Sequence, residues 1–340
     1  MRAIANLTFE ENQKVEGLFE VPGTGFTLPA TIICGARPGK TVLLTAGVHP
    51  CEYVGMQALL ELRKELTPAE ISGTLVIIPV VNRTGFENRT PTIVPEDGKN
   101  LNRVFPGKAT GFASEKLAWF MTSQVFPETD FYVDLHSGGI FEDLDHYVYF
   151  VGACDPEVSE YAKGAAECCE VPYMVKSFAT TGCYNYAGQM GIPSLLLERG
   201  GCGRWSHEEV AADKKDVYNI LKYVGMLPGE PERPAQLPFL LQDPEYAEIS
   251  TSGLWYTELK AGDKFSCGDE LGYVTDYEGN IVERVIAEHD GQVLYLTKTL
   301  WASKYTEVVA YAKLCNGEEC HVKCHHEHRH HGFEHIGTHH

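Results

Sequence analysis

The sequence predicts an α/β domain built on a mixed, largely parallel central sheet, followed by a smaller all-β domain. Three observations support this. Short apolar runs rich in Val, Ile and Leu alternate with helix-spaced segments as far as about residue 226. A Pro/Gly-rich stretch, Pro228 to Pro234, then interrupts the pattern. Beyond it, short strand-like runs alternate with Gly turns and no long helical pattern follows. The expected units are 1–228 for the α/β domain, 236–313 for a barrel-like β domain, and 314–340 for a His/Cys-rich tail.

Residues 1 to 36 alternate apolar and polar side chains around Gly and Pro and read as antiparallel strands. Thr41 to Thr45 is a continuous apolar run, the signature of a strand buried on both faces. Apolar residues at helical spacing place a helix over Glu52 to Leu66. Gly73 to Val81 is a second buried strand. Asn82 to Gly107, rich in Gly, Pro and Asn, is too long for a passive connection and reads as a functional loop. Further helices are expected at Ser114–Val125, Asp155–Glu170, Thr181–Met190 and His207–Met226. Further core strands are expected at Phe131–Leu135, Tyr147–Val151 and Pro193–Leu197.

The chain has 340 residues and a formal net charge of −19. That charge argues against a nucleic-acid or anionic-membrane partner, because phosphate contacts need clustered Lys and Arg. A small anionic substrate needs only local arginines, so it stays open. The N-terminus turns acidic after Leu7-Thr-Phe9 and reads as no signal peptide. No apolar run approaches the roughly 20 residues of a membrane helix. Cys34 and the adjacent Cys168 and Cys169 look like packed thiols, which favours a cytoplasmic location.

Three strand ends deliver polar groups, and open α/β sheets bind ligands at such ends. The first apolar strand leads to His49 and, three residues on, Glu52. The Phe131 run ends in His136 and the Leu195 run in Glu198. Two imidazoles and a carboxylate are the three protein ligands of a hydrolytic zinc site, which keeps one position for water. A further carboxylate can act as base beside such a water. The bland alternatives are a His bonded to a neighbouring strand end and a Glu in a salt bridge. Arg89 and Arg103, in the long loop, could stabilise an oxyanion or bind a carboxylate; a solvated surface charge is the plain reading of each.

Taken in order, His49-Pro-Cys-Glu52, Asn100-Leu-Asn102-Arg103-Val-Phe-Pro-Gly107, Asp134-Leu-His136-Ser and Leu197-Glu198-Arg-Gly-Gly201 resemble the succinylglutamate desuccinylase/aspartoacylase family, a branch of the zinc carboxypeptidase superfamily. The resemblance runs from Lys40 to Gly203. It implies a zinc-carboxypeptidase-like fold with an eight-stranded mixed sheet, and one zinc per subunit on His49, Glu52 and His136. It also implies Glu198 as general base, Arg89 polarising the scissile carbonyl, and Asn102 with Arg103 gripping a substrate carboxylate. The expected activity is deacylation of a small N-acyl amino acid or related carboxylate; a peptide-cutting carboxypeptidase is the alternative, and a metal-binding protein with an inactive site a third. Two departures stand out. Pro50 replaces the family's usual Gly after the His. Lys176 to Thr180 holds no Tyr where the peptidase branch carries a mobile one, although Tyr184 and Tyr186 are near.

The β domain would wall the substrate channel or form a subunit contact, which leaves room for a homo-oligomer. Arg199 and Arg204 flank Glu198, and either a second substrate carboxylate or a salt bridge would explain them. His207 and His289 show no ligand spacing. The tail holds nine His and three Cys, a composition that binds metals adventitiously.

Overall fold

The computed structural model describes residues 1–313; the tail and its expected metal binding lie outside the described residues. Eight strands form the expected mixed sheet. Read across, they are Gln13–Glu20, Thr27–Cys34, Ser72–Ile78, Arg37–Ala46, Phe131–His136, Ser194–Glu198, Tyr147–Val151 and Tyr173–Ser177. The middle strands Ser72–Ile78, Arg37–Ala46, Phe131–His136 and Ser194–Glu198 pair in parallel. Tyr147–Val151 runs antiparallel to Ser194–Glu198. The continuous apolar runs are the parallel central strands, because helices cover both of their faces.

Alternation along Phe131–His136 assigns those faces. Leu135 points to one side, where the helix Tyr53–Glu65 packs so closely that a Cβ at Gly55 would fall on the Leu135 side chain. Tyr132 points to the other side, its hydroxyl 3.0 Å from Cys183 Sγ in the helix Cys183–Gln189. His136 shares that second side, since side chains two apart share a face. Gly47 makes the turn out of the Arg37–Ala46 strand at φ +69°, and a Cβ there would meet Met56 Cε at 2.8 Å.

Several elements differ from the sequence reading. Tyr173–Ser177 is a core strand whose short mixed run, Tyr-Met-Val-Lys-Ser, has no clean period and gave no signal. The long loop contains the short helix Arg83–Asn88, a small hairpin of Ile93–Val94 with Lys99–Asn100, and a 3₁₀ turn at Leu101–Arg103. The helix Ala113–Phe120 passes into a π-type turn at Met121–Val125. Among the described residues no helix is long and apolar enough to cross a membrane.

The main sheet does not stop at the linker. Phe239–Glu248 pairs in parallel with Tyr173–Ser177 through Phe239 to Leu241, then continues as a partner of Glu307–Lys313. Gly291–Thr297 adds beyond Glu307–Lys313, and Glu142–Leu144, from the turn after His136, closes that edge. A separate four-stranded sheet holds Gly253–Tyr256, Glu270–Thr275, Ile281–Ile286 and Trp301–Ala302.

The close approach at Gly55 yields a prediction. Gly55→Ala should destabilise the protein by about 1–3 kcal/mol through overpacking. It should also weaken metal affinity, because the same helix carries Glu52 at its start. Thermal denaturation and a competitive metal titration would check both; unchanged values would show that the packing is loose.

Candidate active site

The helix expected to start at Glu52 starts one residue later. The helix begins at Tyr53, so Glu52 stands at its N-cap and His49 one tight turn earlier, the Glu52 amide donating to His49 O at 3.4 Å. The Glu52 side chain caps nothing. One carboxylate oxygen lies 2.7 Å from His49 Nδ1 and the other 2.7 Å from His136 Nδ1. The ligand atoms of these three residues all lie within 4.8 Å of one another. The two imidazoles meet edge to face with ring centres 5.0 Å apart.

A second layer orients the rings. His49 Nε2 is 3.2 Å from Asn100 Oδ1. His136 Nε2 is 3.2 Å from Asp134 Oδ2, and Asp134 Oδ1 accepts from Thr45 Oγ1 at 2.6 Å. The His136–Asp134 contact is close but misaligned, so both atoms stay buried without a hydrogen bond. Glu198 is the cross-strand partner of His136. Its Oε2 is buried and also without a hydrogen bond.

The charges are strongly perturbed. Burial pushes Glu52 up, but His49 and His136 outweigh it and hold the carboxyl at about 2. Burial pushes His136 down, yet Glu52 and Asp134 raise it well above the ordinary histidine range. Glu198 is raised well above a normal carboxylate, first by burial; His136 opposes, while Glu52, Glu142 and Asp134 add to the rise. Glu142 is raised by burial too, against the Gly139 amide that its Oε2 accepts at 2.8 Å. Cys51, between the two ligands, is pushed up to about 11, first by burial and then by Glu52, and so remains a neutral thiol.

The loop residues divide. Asn102 is buried, and its Oδ1 accepts the Cys183 amide at 2.8 Å, which leaves the NH₂ group as a donor. Arg103, next in the turn, is exposed. Arg89 is exposed at the left-handed C-cap of Arg83–Asn88, a helix lying beside Tyr53 through a ring contact of Phe86 at 6.1 Å. Among the described residues neither arginine has an ion pair, and neither touches the His–Glu–His cluster.

A model of the succinylglutamate desuccinylase/aspartoacylase catalytic domain matches residues 38–224, more than half of the chain. The chain belongs to the succinylglutamate desuccinylase/aspartoacylase family. This is a family of deacylases. A curated relative, N-alpha-acetyl-L-2,4-diaminobutyric acid deacetylase from Halomonas elongata, is 29% identical over 302 residues, covering 84% of this chain and 88% of its own. The fold is similar to a succinylglutamate desuccinylase/aspartoacylase from Rhodobacter sphaeroides, with a TM-score of 0.83 at 27% identity over 92% of this chain and 99% of that one. It is also similar to the product-bound ectoine utilization protein EutE (DoeB) from Ruegeria pomeroyi, with a TM-score of 0.82 at 26% identity over 90% and 97%.

The desuccinylase/aspartoacylase donor set fits a zinc ion. It offers two imidazole nitrogens and a carboxylate, and each histidine has a polar neighbour on its far nitrogen, as metal-bound histidines do. A second cluster, Glu245, Glu288 and His289, is a different case. Lys313 Nζ lies 3.7 Å from the Glu245 oxygen that His289 contacts at 2.9 Å, so an ammonium already faces this carboxylate.

Arg199 resolves in favour of the salt bridge. It is buried, with Nε 3.2 Å from Asp213 and Nη2 2.5 Å from Asp216, both on the helix His207–Tyr223. The residues that sequence reasoning missed are Asn100, Asp134, Glu142 and a group of tyrosines around Glu198. Asp134 was legible, lying two residues from His136 on the same strand face. Tyr246 was not, because it comes from the C-terminal part, within electrostatic reach of Arg103 and Glu198.

One guanidinium between two buried carboxylates leaves one charge too many. Burial raises Asp213 to about 8, with Arg199 opposing and Asp216 adding. Its folded pKa lies above its unfolded value, so its contribution to stability is present at low pH and is lost between about pH 4 and pH 8. Asp213→Asn should therefore cost little at neutral pH and flatten stability over that window. Arg199→Met should cost about 3–5 kcal/mol, since it strands buried carboxylates. Denaturant titrations at pH 5 and pH 8 would check both.

Proposed function

We propose that the protein is a zinc-dependent deacylase that hydrolyses the amide or ester bond of a small N-acyl amino acid or related carboxylate, with one zinc per subunit on His49, Glu52 and His136. The observation that carries this reading is the convergence of those three ligand atoms beside Glu198, the cross-strand partner of His136. When bound, the metal would polarise the acyl oxygen and make a water acidic.

The remaining roles fall to the chain's own residues. Glu198, with its raised pKa, takes the proton of the attacking water and returns it to the leaving amine. Arg89, exposed and without an ion pair among the described residues, is available to the acyl oxygen. Asn102 has already spent its carbonyl, so it presents only N–H donors, and with Arg103 it binds the substrate carboxylate. Packed thiols such as Cys34 and Cys169 support a cytoplasmic setting. The peptidase reading is less well supported, because Lys176 to Thr180 holds no Tyr where that branch carries a mobile one.

The relative's named substrate carries a side-chain amine, and Glu142 suits such a group. Its carboxylate is largely buried, it is within electrostatic reach of His49, Glu52 and Glu307, and it has no Lys or Arg partner among the described residues. Nα-acetyl amino acids with cationic, neutral and anionic side chains of matched length would test the substrate class, with short peptides alongside. Glu198→Gln should abolish turnover while zinc content stays at one per chain; retained turnover would sink the mechanism. The cationic substrate should be preferred roughly tenfold or more over its neutral analogue, as expected for a charge-assisted contact. Glu142→Gln should erase that preference, and an unchanged ratio would remove Glu142 from recognition.

A further inference from the structure

The pairing that sets Glu198 beside His136 continues one strand further. Across the antiparallel pair of Ser194–Glu198 and Tyr147–Val151, Glu198 is the direct partner of Tyr147. Directly paired residues project to the same face of a sheet with their Cβ atoms about 5 Å apart. His136, Glu198 and Tyr147 therefore form one row on one face.

Tyr147 is 1% exposed, and its hydroxyl has no hydrogen-bond partner. The ring packs among Val175, Leu241, Leu294, Ala310 and Ala312, an apolar group that a phenylalanine would fill as well. Tyr149 is the nearest other phenol; it meets Tyr147 edge-on with ring centres 5.1 Å apart, and its hydroxyl faces the Tyr147 oxygen as a donor would, so the Tyr147 proton is still without an acceptor. Buried hydroxyls and buried carboxylate oxygens are costly when unpaired, and native proteins pair nearly all of them. Here two such atoms, Tyr147 Oη and Glu198 Oε2, occur on paired residues. The Tyr147 phenol is also raised well above its ordinary range, first by burial and then by the charge of Glu198, which places the two groups within electrostatic reach.

We propose that Tyr147 is a positioning residue for Glu198: its hydroxyl donates a hydrogen bond to Oε2 and so holds Oε1 toward the reacting water. The inference rests on the reading of Glu198 as the base. It assigns the phenol no proton transfer of its own. The hydroxyl restricts the carboxylate to one orientation, and orientation of a base acts on the chemical step rather than on substrate binding.

Tyr147→Phe in the full chain, loaded with zinc, tests this. The substitution deletes one oxygen and keeps the packing. kcat should fall roughly tenfold or more, the scale of a hydrogen bond to a charged group. KM should stay within about twofold, zinc content should be unchanged, and Tm should fall by no more than the loss of one hydrogen bond implies. A wild-type kcat overturns the inference. So does a fall in kcat that comes with lost zinc or with partial unfolding at the assay temperature, since the phenol would then be supporting the fold. 3-Fluorotyrosine at position 147, which alters the acidity of the phenol and hardly its size, should change kcat without changing KM; an unchanged kcat overturns it as well. Glu198→Gln separates the two readings. If that variant is inactive while Tyr147→Phe is unimpaired, only the positioning role fails. If it turns over at the wild-type rate, the base assignment fails and takes the positioning role with it.

Discussion

The site depends on the register between Phe131–His136 and Ser194–Glu198. These strands pair in parallel from Ser194 opposite Tyr132 to Glu198 opposite His136, and both end on a functional residue. Parallel pairing brings the two carboxyl ends to one edge, and the antiparallel neighbour then adds Tyr147 to the row. A slip of one residue would turn either side chain to the opposite face. That face holds the helix Tyr53–Glu65, packed onto Leu135 with no room to spare. Burial of the central strands on both faces therefore fixes the catalytic geometry as well as the core.

Much of this was legible along the chain and little of it across the chain. The apolar strands, the long helices and the change of texture after Pro234 are local patterns of period and composition, and the structure has them. His49, Glu52, His136 and Glu198 were legible because each follows an apolar strand. The Tyr173–Ser177 strand was not, because five mixed residues show no period. Glu142, Tyr147 and Tyr246 were not legible for a different reason. Tyr147 reads as one more apolar strand residue, and its relation to Glu198 exists only through strand pairing. Tyr246 lies nearly fifty positions beyond Glu198 and reaches the site only because its strand joins the main sheet. Arg199 was ambiguous from sequence, since its neighbours in the chain do not reveal that Asp213 and Asp216 face it from a helix.

The charge balance favours a cation at the His–Glu–His cluster. Glu52, Asp134, Glu142 and Glu198 influence one another inside a small volume, and the nearby compensation comes from two histidines. In the absence of another cation, Glu52 and Asp134 draw a proton onto His136, while burial pushes Glu198 and Glu142 toward the protonated form. A divalent ion on His49, Glu52 and His136 would relieve both effects, freeing His136 to act as a neutral ligand and helping Glu198 to ionise. The same arithmetic bears on Glu142. A divalent ion at the three ligands balances two of the four carboxylates; Asp134 keeps its contacts with Thr45 and His136, and Glu142 is left without a Lys or Arg partner among the described residues.

The C-terminal part belongs to the site for a structural reason. Phe239–Glu248 begins as an edge strand of the catalytic sheet and ends as the core of the second sheet, so no flexible joint separates the two along that path. The turn after His136 leads directly into Glu142–Leu144, which pairs with Gly291–Thr297. The strand that ends on His136 is thus bolted to the C-terminal sheet six residues after that histidine. Leu241, Leu294, Ala310 and Ala312 pack around the ring of Tyr147. These residues bury the phenol beside Glu198 and keep water from bonding its hydroxyl. A hydroxyl at that depth has few partners to choose from, and the packing that buries it comes from strands of the C-terminal part. The wall of the cleft and the orientation of the base are in this sense one feature, built by the same strands.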